Sequence, residues 1–169
     1  MTTVGLDLGH TSVVDAEHWL REHVAGLGGP WTIACTHQVH GEHPRVALSV
    51  SGVVDPGALV AERSLDEAVA ATAATQHATR RAGRAVLYPG VAGLTGTVPV
   101  GDLFRLSAIE RVVVIGGPPA ALDTLLDTRD FVRPEWRDGL LTLVTTPAPR
   151  GRIAPFEVPN PTPCCADHR

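Results

Sequence analysis

Two alternating stretches joined by a short polar link constrain this chain most. In "WTIACTH", Trp31, Ile33 and Cys35 share one parity, and Thr32, Ala34 and Thr36 the other. In "RVALSVS", Val46, Leu48 and Val50 again fall on one parity. Period-two alternation is the signature of a strand with two unlike faces. The link "QVHGEHP" is too short for a crossover, so the two strands are expected to form an antiparallel hairpin over 31–36 and 45–51.

Helical patterns flank the hairpin. Val13, Ala16, Leu20, Val24 and Leu27 recur at helical spacing, Ser12 suits the N-cap, and Gly28-Gly29-Pro30 suits the stop. A helix over 13–27 is expected. A second is expected over 64–82, with Ser64 and Glu67 as a capping box and a face of small residues that permits close packing on a sheet. "RVVVIGG" is an all-apolar run, expected as a strand over 111–115 buried on both faces. A further strand is expected over 140–146, and shorter ones at "RAVLYPG" and "GTVPV". "PPAALDTLLD" reads as a helix with proline in its first turn. "GRIAPFEV" reads as a strand that Pro155 confines to an edge.

The expected fold is therefore α/β or α+β: one compact domain over 1–154, with a mixed sheet and two to three packed helices. A Pro-rich tail over 155–169 is expected to be extended. The length of 169 residues fits one domain, and 44% hydrophobic with 19% charged residues fits a packed core. No apolar stretch approaches the length of a membrane span. The start "MTTVGLDLGH" has neither a basic nor an apolar leader region, so the expected compartment is the cytoplasm. The formal charge of −4 argues against nucleic acid as a partner.

The densest chemistry lies in "CTHQVHGEH". Cys35, His37, His40 and His43 fall within nine residues, with Glu42 among them. Thiolate with imidazole is the donor set that zinc prefers. The tail adds Cys164, Cys165 and His168. Cys164 and Cys165 are adjacent, so a bond between them would be strained. At about 3.1 Å per residue, an extended tail is long enough to carry them to the 37–43 loop.

The first functional expectation is thus a small metal-binding protein holding Zn2+. In a catalytic version the metal activates water and Glu42 is the general base. The alternative is a non-enzymatic module that binds a small ligand or a partner chain through its tail, self-association into a homo-oligomer included. The bland counter-reading makes Cys35 a core residue and the loop histidines solvated.

Three other patterns bear on function. "TRDFVRPEWRDG" sets Arg129, Arg133 and Arg137 beside Phe131 and Trp136, a composition able to clamp a carboxylate or phosphate, or to form a solvated loop with internal ion pairs. His77 on the second helix reads as a satisfied core-edge histidine. Glu17–Arg21 and His18–Glu22 read as helix surface pairs. Asp7, Gly9 and Thr11 resemble the first phosphate loop of the actin-like and sugar-kinase ATPases. That fold needs a hairpin next, where this chain starts a helix by about residue 13, so nothing is carried over from it.

Overall fold

The computed structural model describes residues 1–53, 55–60 and 62–159. The hairpin is its centre. β1 (Thr3–His10) pairs antiparallel with β3 (Arg45–Val53), and β3 pairs with β2 (Gly28–Val39). The register sets Ile33 opposite Ser51, Cys35 opposite Ser49 and His37 opposite Ala47. Alternation then sorts the two faces. One carries Leu6, Ala34, Val46, Leu48 and Val50. The other carries Gly5, Cys35, His37, Ala47, Ser49 and Ser51.

Each face takes one helix. α1 (Val13–His23) buries Ala16 and Leu20 in the apolar cluster of Leu6, Ala34, Leu48 and Val50. Ser12 caps it, accepting from the Asp15 N–H at 3.1 Å. After the four-residue α2 (Gly57–Val60), α3 (Glu67–Ala78) lies on the polar face. It sits so close to β1 that a Cβ on Gly5 would stand 1.8 Å from the Ala70 carbonyl oxygen. The cap of α3 is Asp66, not Ser64; the Asp66 carboxylate accepts from the Ala68 and Val69 N–H groups. Ser64 is held at the edge of β1, its hydroxyl accepting from the Asp7 N–H, while the Leu65 N–H donates to the Asp7 carbonyl. Those contacts keep residues 64–65 out of the helix.

β4 (Arg84–Leu87) joins β2 on its free side, giving the order β1-β3-β2-β4. β1 and β2 are parallel with β3 between them, and β3 and β4 are parallel with β2 between them. The two crossovers interlock. Their starting strands point opposite ways, so a common hand requires the helices to lie on opposite faces, as they do.

β5 (Thr97–Pro99), α4 (Val100–Leu106), β6 (Arg111–Val114), β7 (Leu125–Asp127), β8 (Glu135–Arg137), β9 (Leu140–Ala148) and β10 (Arg152–Pro155) complete a ten-stranded mixed sheet. Arg84 opposite Glu135 links the two parts. A second apolar cluster, including Tyr88, Leu103, Leu126, Trp136, Leu141 and Ile153, fills this part. The fold is a single compact α+β domain.

Three further expectations change. Among the described residues β6 pairs only with β9, and all four of its residues are half-buried, so it is an edge strand rather than a fully buried one. Residues 118–127 form turns and then β7, which pairs with β5 and β10; two sheet partners outweigh local helical preference. β10 lies between β9 and β7, because Pro155 falls at its last position, where a missing N–H costs little. Among the described residues, no helix is long and apolar enough to cross a membrane.

Candidate functional site

The hairpin register separates the expected metal ligands. Cys35 and His37 are on β2 and point beneath α3, where both are buried. β2 ends at Val39, so the alternation stops there. His40, Glu42 and His43 lie exposed in the connection. Among the described residues no three His, Cys, Asp or Glu side chains form a group able to hold a metal ion. Cys164, Cys165 and His168 lie outside the described residues. Burial pushes the Cys35 thiol up to about 12, so it is protonated at neutral pH.

His37 belongs to a different construction. Its Nδ1 is 3.0 Å from Gln76 Oε1, and its Nε2 is 2.7 Å from Ser49 Oγ. Ser49 Oγ is also 2.8 Å from His77 Nδ1, and His77 Nε2 is 3.1 Å from Ser51 Oγ. With both rings neutral, one direction satisfies every atom. Ser51 donates to His77, His77 to Ser49, Ser49 to His37, and His37 to Gln76. Burial pushes both histidines below their ordinary value, His77 to about 4 with help from His37 and Arg80.

Ser49, His37 and Gln76 have the connectivity of nucleophile, base and orienting group. Ser49 is nonetheless fully buried and lines neither cavity at the ends of the chain. One cavity, of about 310 Å³, meets His37 and Gln76; the other, of about 180 Å³, meets Ser51 and His77. A hydroxyl that cannot meet a substrate is not a nucleophile, and the chain serves to satisfy polar groups between α3 and the sheet. The expectation of a satisfied histidine at position 77 holds. Ser49, Ser51 and Gln76 carry no motif in the sequence; the register of the hairpin sets the two serines on the face of Cys35 and His37.

A second constellation lies on the α1 side. Glu17 is 5% exposed, so it is not the surface residue its helical spacing predicts. Arg133 grips it with Nε 3.1 Å from Oε1 and Nη2 2.8 Å from Oε2. Arg84 Nη1 donates to Oε1 at 2.6 Å, and Arg21 donates to Oε2. Burial alone would raise the carboxyl, but Arg133 and then Arg84 outweigh it and hold Glu17 at about 2. Arg133 stacks on Phe131 at 4.2 Å from the ring centre, and Arg84 lies at 5.8 Å. Of the two readings of this stretch, Arg133 and Phe131 form a clamp whose anion is the chain's own Glu17 rather than a ligand.

Arg84 has two nitrogens left, and both go to Glu157, just beyond β10: Nε at 2.7 Å, and Nη2 to the other carboxylate oxygen. Beside this pair opens a cavity of about 650 Å³. Val13, Val14, Phe131 and Phe156 give it apolar walls, with Glu17, Arg21, Arg84 and Glu157 at its polar end. Three arginines face two glutamates, so the cluster is one charge positive in a chain of formal charge −4.

No protein-family model, no curated protein and no solved structure matches this chain. The arginine-lined cavity is the candidate site on its geometry alone.

Proposed function

We propose that this chain is a small-ligand-binding module, and that its ligand is an anion with an apolar body held in the cavity beside Arg84. One observation carries the reading: two arginines, Arg21 and Arg84, stand at the polar end of a large cavity with apolar walls, and Arg133 behind them offsets Glu17. Such a combination orients a ligand by its charged end and holds it by its body. Val14 at 70% and Phe156 at 62% exposure are apolar surfaces that a ligand body would cover.

Calorimetric titration of the full chain with octanoate, octylammonium and octanol tests this. Octanoate should bind saturably and raise the melting temperature, and octylammonium should do neither. Equal behaviour of anion and cation would remove the basis of the reading. Zinc held by Cys35, His37, His40 and His43 would require His37 to leave both Gln76 and Ser49. Metal content of protein purified without a metal-affinity tag measures that reading independently.

A further inference from the structure

We infer that the ligand is a carboxylate, and that it binds by taking the place of Glu157 on Arg84; this rests on the cavity being the ligand site. Glu157 occupies the Arg84 fork as a ligand carboxylate would, through one donor to each oxygen. Among the described residues its carboxylate bonds to Arg84 alone. Glu17 differs: it is buried and gripped by three arginines, so it is a fixed part of the wall. Glu157 is 44% exposed at the side chain and follows the last sheet hydrogen bond of its strand, from the Phe156 N–H to the Val144 carbonyl at 3.0 Å. It can therefore leave without breaking the sheet.

Its departure changes the charge of the cluster from one positive to two, which draws in an external anion. The segment that carries Glu157 also supplies Phe156 and Val158 to the cavity wall, and the Phe156 backbone stays on the sheet when the Glu157 carboxylate leaves. Apparent affinity is lowered by the fraction of molecules in which Glu157 holds the fork, and a variant lacking that carboxylate escapes the penalty. Planar two-point pairing favours a carboxylate over a compact spherical anion.

The test is octanoate titration of the wild-type chain and Glu157→Gln, with octanol as the uncharged control. Glu157→Gln should bind octanoate about five-fold more tightly, the equivalent of about 1 kcal/mol, with octanol affinity unchanged. In the wild-type chain, saturating octanoate should shift the Arg84 Nε–H resonance and leave that of Arg133 in place. Identical octanoate affinity in the two proteins, with octanoate still saturating, overturns the displacement and leaves the cavity reading standing. Failure of octanoate to bind either protein overturns both. A shift of Arg133 without one of Arg84 places the carboxylate elsewhere and also overturns the inference.

Discussion

Glu17 is the residue on which the α1 side depends. Its carboxyl titrates near 2 in the folded chain, against 4.5 without perturbation. A depressed carboxylate stabilises the fold above its unfolded value, and that stabilisation is lost as pH falls through the folded value. An acid titration of unfolding free energy should therefore show a loss between about pH 4.5 and pH 2, absent in Glu17→Gln. At pH 7 the same substitution leaves Arg84 and Arg133 without their buried anion and should cost about 3 kcal/mol, read from urea unfolding. A variant as stable as the wild type would mean that the arginines find water instead. Little of this was legible in the sequence. Phe131 and Arg133 are two apart and could be read as a clamp. Glu17 lies 67 residues from Arg84 and 116 from Arg133, and no local spacing encodes such a meeting.

The elements were more legible where pattern and position agree. The hairpin and α1 were readable because each has an uninterrupted period that its neighbours also satisfy. Residues 118–127 were not, because β7 is three residues long and owes its conformation to β5 and β10. The polar contact of α3 with the sheet was half readable: parity put Cys35 and His37 together, but only the register brings Ser49 between His37 and His77. Ser49→Ala removes the one group that both imidazoles use. It should cost about 2–3 kcal/mol, more than Ser51→Ala, which frees one ring nitrogen only. The wild-type contact also has a pH signature. His77 is held near 4 against an ordinary 6.5, so the unfolded chain binds the proton first. Stability should be full above about pH 6.5 and fall between there and about pH 4, a window that lies mostly above that of Glu17. A stability profile flat across that interval would show His77 to be charged in the folded chain.

At the scale of the molecule, the interlocked crossovers impose an order of assembly. β2 and β3 are the one local pairing of the four, whereas β1 on β3 and β4 on β2 must each close a long loop, so the hairpin should pair first. The turn at 40–44 should thus be formed in the folding transition state, while the strands outside it dock later. Doubling that turn with glycine and serine after Gly41 adds about 0.6 kcal/mol of closure entropy. All of it should fall on folding, which slows about three-fold, with the unfolding rate unchanged. The same insertion at the β8–β9 turn, after Asp138, should instead quicken unfolding. Stopped-flow chevrons of the two variants separate the cases, and faster unfolding after the Gly41 insertion would refute this order. The exposed loop that carries His40 and His43 then acts in time: it sets how fast the chain acquires the edges from which the rest of the sheet grows.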